Sequence, residues 1–183
     1  MINTREILQE SMPVLFLCAG ISVLSGMFLG RNIELLRMLP GIVIILPAFN
    51  AVNGNIASVM SSRLSSALHA GLVKPRFTGS RLLSENVYSM LLVAVASFLV
   101  LGGAAAALDS LMGSEDVNLI VFPFVTLTAG LITALILILL SIFSSYLTYR
   151  HGVDPDNVVV PALTTIGDLV GISSLLLVAV AVV

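Results

Sequence analysis

One carboxylate of this chain stands where carboxylates are costly. Asp168 lies in the middle of Pro161–Gly171, PALTTIGDLVG, inside an apolar run that continues to the last residue. A charge at bilayer depth costs from about 3 to more than about 10 kcal/mol, so such groups face a cavity or a partner. Thr164, Thr165 and Gly171 fall on the same helical face as Asp168. Pro161 has no amide hydrogen and leaves the carbonyl of residue 157 without its helical partner. Hydroxyl and freed carbonyl oxygens, a carboxylate and water make a donor set for a hard cation such as magnesium, not for zinc or copper. Three ways of stabilising Asp168 are open from these residues: a proton, a hydrogen-bonded neighbour, or a metal ion reached through water.

A second polar group lies in residues 46–68, LPAFNAVNGNIASVMSSRLSSAL. On a helix Asn50, Gly54, Ser58, Ser61 and Ser65 form one stripe. Asn53 flanks it on one side and Asn55 lies further round on the other. Phe49, Val52, Ile56, Val59 and Met60 occupy the opposite face, which is expected to meet lipid while the stripe faces inward. Two readings of the stripe are open: glue between helices, or the wall of a hydrated path.

The elements that must position these residues are membrane spans. Of the 183 residues 58% are hydrophobic and 10% charged, and the mean hydropathy is +1.12. A soluble domain carries roughly 25% charged residues, so the expected class is an all-α integral membrane protein. Five apolar segments, about 12–30, 41–66, 86–107, 119–149 and 157–183, each approach or exceed the roughly 20 residues that cross hydrocarbon. Residues 1–11 are polar and are expected to form a short interfacial helix, with Asn3 and Glu6 spaced as a capping box. The first apolar run has no convincing cleavage site and reads as a retained helix. The net charge of −2 and pI near 5.5 provide no basic surface for nucleic acid.

Charges mark the connections. With the N-terminus inside, the inner regions hold Arg5, Arg63, Lys74, Arg76, Arg81 and Arg150, and the outer loops hold Arg31 and Arg37. The positive-inside rule favours that orientation, with the N-terminus cytoplasmic and the C-terminus outside. Asp109, Glu115 and Asp116 make the outer loop between the third and fourth spans acidic. Arg63 lies 22 positions after Gly41, about 33 Å at helical rise, and so reaches the inner interface. His69 and His151 fall in inner loops, and the lone Cys18 reads as a small packing residue. Gly26 with Gly30, and Gly167 with Gly171, are spaced for close helix contact. Asp168 is then the one acidic residue expected well inside a span, with no basic residue at its depth.

One carboxylate is little for a divalent cation. A homodimer with its two-fold axis along the membrane normal would bring two Asp168 side chains together. A mostly hydrated 2+ ion would match their charge and relieve their repulsion. Selection would come from the charged ring and the pore width.

PAFNAVNGNIASVMSSRLSSALHAG resembles the second-helix signature of the MgtE-type magnesium transporters and their eukaryotic solute-carrier relatives. The match is a proline, a Gly-Asn pair, then a Ser-Arg-Leu run ending in small residues and glycine. PALTTIGDLVG resembles that family's fifth-helix signature, with paired threonines and an aspartate before a glycine. The resemblance covers nearly the whole chain. It implies five spans per chain, a homodimeric ten-helix bundle in the plasma membrane, and a magnesium path at the dimer axis lined by the second and fifth helices. It implies that Asp168 is the ion-site aspartate and that the carbonyl of Thr164 is a backbone ligand. Asn53 and Asn55 sit in or beside the matching part of the second helix. Magnesium is implied as cargo, and no cofactor is expected. Bacterial members carry cytosolic sensing domains before the membrane part. Here about eleven residues precede the first span, so the expectation is that such gating is absent or is supplied by a separate chain. The eukaryotic relatives carry two such repeats, and one repeat here favours a dimer.

Two other classes compete. Gly167-Asp168 is superficially similar to the Gly-Asp motif of intramembrane aspartyl proteases. The glycine expected at Thr165 is missing and no other acidic residue is expected within a span, so the second catalytic aspartate would have to be Asp168 of another copy in a dimer. A non-transporting structural subunit would use Asp168 only to hydrogen-bond across a helix interface.

Overall fold

The computed structural model describes residues 4–36, 39–73, 80–112, 119–153 and 155–182. They form five helices: α1 (Thr4–Leu36), α2 (Pro40–His69), α3 (Arg81–Leu111), α4 (Val121–Arg150) and α5 (Pro155–Val182). All five are long and apolar enough to cross a membrane. Each expected span is found, and most extend a few residues beyond the apolar core. α1 continues from Thr4 through the polar N-terminal residues and passes Pro13 without a break, so that segment is continuous with the first long helix, whose apolar part begins at Ser11. Asn3, one half of the expected capping box, lies outside the described residues.

The helix ends follow from local chemistry. Pro40 opens α2, where its missing amide costs no helical bond. The Ser80 hydroxyl caps α3 by accepting from the Leu83 amide at 3.2 Å. α2 and α4 both finish on glycines in the left-handed region, Gly71 at φ +68° and Gly152 at φ +71°. In each the second amide past the cap turns back into the helix: Leu72 N–H donates to Ala67 O at 2.9 Å, and Val153 N–H to Thr148 O at 3.1 Å. This closing pattern needs positive φ, which glycine adopts without a Cβ clash.

α2 is the central helix, packed against α3, α4 and α5. α4 and α5 also pack on each other, α3 closes against α4, and α1 lies along α5 with only a slight touch on α2. This arrangement overturns the lipid face expected of α2. Phe49, Ile56 and Met60 are fully buried or nearly so, and Phe49 stacks obliquely on Phe98 of α3 with ring centroids 5.1 Å apart. Of that face only Val59 is exposed, with Val52 half-buried. A helix surrounded on three sides buries apolar and polar residues alike.

The acidic outer loop is also corrected. Asp109 is not in the loop but in the last turn of α3, 1% exposed, and its Oδ1 accepts the Gly41 amide of α2 at 3.0 Å. It satisfies an orphan donor at the start of α2 and opposes that helix's positive end. Glu115 and Asp116 lie outside the described residues. Gly41 is needed here because a Cβ would overlap the Ala105 carbonyl. A Cβ on Gly26 or Gly30 would meet nothing within 4 Å among the described residues.

Candidate functional site

α5 runs from Pro155 to Val182, so Asp168 lies about 20 Å from either end at helical rise, midway along the span. α2 and α5 cross closely and antiparallel beside it. A Cβ on Gly54 would lie 3.4 Å from Thr164 Cγ2, and one on Gly171 would lie 2.9 Å from Asn50 Oδ1 and 3.5 Å from Asn53 Nδ2. A Cβ on Gly167 would lie 3.1 Å from Leu137 Cδ1 of α4 and 4.0 Å from the Gly54 amide nitrogen of α2. On the side toward α1, Cys18 Sγ donates to the Pro161 carbonyl at 3.4 Å. Thr164 and Gly171 therefore mark the α2 side of α5, and Pro161 with Thr165 the α1 side. Asp168, between them on the wheel, opens into the cleft between α1 and α2 and is half-buried.

The hydrogen bonds around this cleft share one direction. Thr164 Oγ1 and Thr165 Oγ1 both donate to the Pro161 carbonyl, at 2.9 and 3.0 Å. Asn53 Nδ2 donates to Phe49 O at 3.1 Å. These donors are turned back onto backbone, and oxygen is left over. Asn50 Oδ1 and Asn53 Oδ1 are buried and accept nothing, although Asn53 is wholly inaccessible. The Asp168 carboxylate has no hydrogen bond or ion pair with any described residue. An unmade hydrogen bond to a buried acceptor costs about 1–3 kcal/mol. A concentration of unpartnered oxygens around a carboxylate is therefore suited to a positive guest and its water.

α1 adds a group that hydropathy alone passes over. Ser25 is 3% exposed and its hydroxyl has no partner. Cys18 fixes the register of α1 on α5, and helices separated by four reversals run in the same direction. Seven residues beyond that contact, Ser25 on α1 comes level with Asp168 on α5. The signal was available in the sequence: Ser11, Cys18, Ser25 and Asn32 recur every seven residues on an otherwise apolar helix.

The expected stripe of α2 divides. Asn50 and Gly54 meet α5, whereas Ser61 pairs with Ser145 of α4 at 3.2 Å. Ala57 O, a turn before Ser61, also accepts from Ser141 Oγ of α4 at 3.3 Å. Ser61 is therefore glue between helices. Asn53 joins the α5 side through Gly171. Ser58 is half-buried, and Asn55 is exposed in a groove with Met90, Val93 and Ser97 of α3, away from Asp168.

Among the described residues, no three His, Cys, Asp or Glu side chains come together as a metal cluster. Asp109 does not supply a second aspartate for a proteolytic pair. Its contact Gly41 precedes Asn50 by nine residues, which places it about 13 Å away along α2. Arg63 is exposed near the far end of α2, as the interfacial reading expects.

A family model described as MgtE, divalent cation transporter, matches residues 46–178 and so takes in most of α2, all of α3 and α4, and nearly all of α5. Solute carrier family 41 member 3 of Mus musculus is 27% identical over 187 residues, covering 94% of this chain and 38% of that protein. Solute carrier family 41 member 2 of Homo sapiens is 25% identical over 189 residues, covering 95% of this chain and 32% of its own length. The chain thus spans about a third of the length of the curated relatives it matches.

Proposed function

Since this chain belongs to the MgtE family of divalent cation transporters, and is a multi-pass membrane protein, we propose that it carries a hydrated divalent cation, magnesium before others, past Asp168. The observation that carries the reading is the surplus of acceptors at mid-membrane. Among the described residues, Asp168, Asn50 Oδ1 and Asn53 Oδ1 accept no hydrogen bond, while the Thr164, Thr165 and Asn53 donors nearby are turned onto backbone carbonyls and the Ser25 hydroxyl makes no bond. Each of these oxygens can accept from the water shell of a cation. Magnesium dehydrates reluctantly and suits contacts made through water better than direct chelation.

In this reading the pore lies between two copies of the chain. One Asp168 from each supplies the 2− charge that a 2+ ion balances. Thr164 and Thr165 present lone pairs, with the Thr164 carbonyl as a further ligand. Asn50, Asn53, Gly54 and Gly171 form the wall between α2 and α5, and Ser58 extends it along α2, while Asn55 faces α3 outside it. The end of the bundle bearing Arg63, Arg81 and Arg150 is cytoplasmic, in the plasma membrane.

The test is magnesium influx into proteoliposomes with an internal fluorescent indicator. The wild-type chain is expected to conduct above empty liposomes. Asp168→Asn is expected to fall to the empty-liposome level while remaining a dimer by cross-linking in the membrane. A folded wild-type chain with no flux, or an Asp168→Asn variant with full flux, defeats the reading.

A further inference from the structure

Two cavities lie end to end along the groove between α2 and α3. The first, about 640 Å³, is lined near the helix ends by Ser62, Arg63, Ser66 and Asn86, with Leu72 and Leu82 beside them. The second, about 340 Å³, begins one turn deeper and is lined chiefly by Val52, Ile56, Val59, Met90 and Val93. Val59 and Ser62 are three residues apart on α2, and Asn86 and Met90 four apart on α3, so the cavities stack directly. The groove is therefore polar and charged near the helix ends, with Arg63 and Glu85 in its lining, and mainly apolar further in.

The charge in the outer cavity is uncompensated. Arg63 makes no ion pair among the described residues. Glu85, the acidic residue on the same wall, is held by Arg81, whose Nε lies 2.8 Å from its Oε1. A guanidinium presents a planar fork of donors matched to phosphate oxygens. The Ser66 hydroxyl and the Asn86 amide in the same cavity are further donors to such a group.

We propose that this groove binds one anionic phospholipid, with the headgroup phosphate on Arg63 and an acyl chain lying in the deeper cavity. Polarity along the groove has the order that a lipid has along its own length. A free phosphate ion would use only the outer cavity, and an apolar helix from another chain would leave Arg63 without a counter-charge. The site is separate from the Asp168 cleft and does not depend on what the protein transports.

Native mass spectrometry of the delipidated full chain tests this, by titration with dioleoyl phosphatidylglycerol against dioleoyl phosphatidylcholine. One phosphatidylglycerol per chain is expected to bind at least tenfold more tightly than phosphatidylcholine. Arg63→Ala is expected to remove that preference, and so is the milder Arg63→Gln, which keeps a polar side chain. Val59→Trp, which fills the deeper cavity, is expected to weaken both lipids. Arg31→Ala, at the opposite end of the bundle, is expected to change neither. Equal affinity for the two lipids overturns the proposal. So does equal loss from Arg31→Ala and Arg63→Ala, which would mean unspecific attraction, and so does full displacement by glycerol 1-phosphate, which would mean that the deeper cavity is unused.

Discussion

Asn50 and Gly171 meet so closely that a methyl group on the glycine would lie 2.9 Å from Asn50 Oδ1. That oxygen is buried and accepts no hydrogen bond. The missing side chain at Gly171 is what lets α2 hold an unpartnered amide against α5, three residues past Asp168. Overpacking by a methyl costs about 1–3 kcal/mol. Gly171→Ala is therefore expected to push the amide aside and lower magnesium flux by at least about tenfold, with the protein still folded. Gly103→Ala, which meets nothing within 4 Å, is the matched control. Proteoliposome flux of the two variants, normalised to the amount incorporated, checks this.

Asp109 is expected to matter for stability and little for the site. Asp109→Ala leaves the buried Gly41 amide without its acceptor, a loss of about 1–3 kcal/mol. Asp109→Asn keeps an oxygen for that bond and loses only the favourable charge at the start of α2, about 0.3–1 kcal/mol. Thermal unfolding in detergent should rank wild type above Asn and Asn above Ala. Equal behaviour of Ala and wild type would rule out this role.

Thr165 is buried, and its hydroxyl belongs to the Pro161 carbonyl. Thr165→Val keeps the shape and removes the donor, at an expected cost of about 0.5–1.5 kcal/mol. It also removes an oxygen from the cleft side of α5, so flux should fall by more than that loss of stability explains. Thr165→Ser, which keeps the donor and the oxygen, should conduct near the wild-type level. Flux and unfolding measured on the same preparations separate the two effects.

Ser61 and Ser145 provide a control remote from the cleft. Their hydroxyls are 3.2 Å apart across α2 and α4. A double-mutant cycle of Ser61→Ala and Ser145→Ala should return a coupling of about 0.6 kcal/mol, the usual size for such bonds within membranes. Reversible unfolding in mixed micelles reads it, and neither single variant should abolish transport.

Asp168, Thr164, Thr165 and the α2 asparagines were legible in the sequence because they are costly in an apolar run, and that cost is local. All five spans were legible for the same reason. Which side of α2 meets lipid was not, since Phe49 and Met60 are as apolar as any lipid-facing residue. Their burial follows from three neighbours around α2. Asp109 read as a loop residue because helix ends carry charges routinely, and its role depends on Gly41, 68 positions away in the chain. Asn55 shares its residue type with Asn50 and Asn53, but α3 takes its side of α2 and α5 takes theirs.

The sequence by itself determined that this chain crosses the membrane five times and that one carboxylate is held at mid-depth without a basic partner. Hydrophobicity and charge set those outcomes, and both belong to residues taken singly. The tertiary structure alone decided which oxygens remain unpartnered around that carboxylate. The Thr164, Thr165 and Asn53 donors find backbone carbonyls within their own helix, a short-range geometry. Asn50 Oδ1 looks outward to α5, where Gly171 packs opposite and has no side chain to donate.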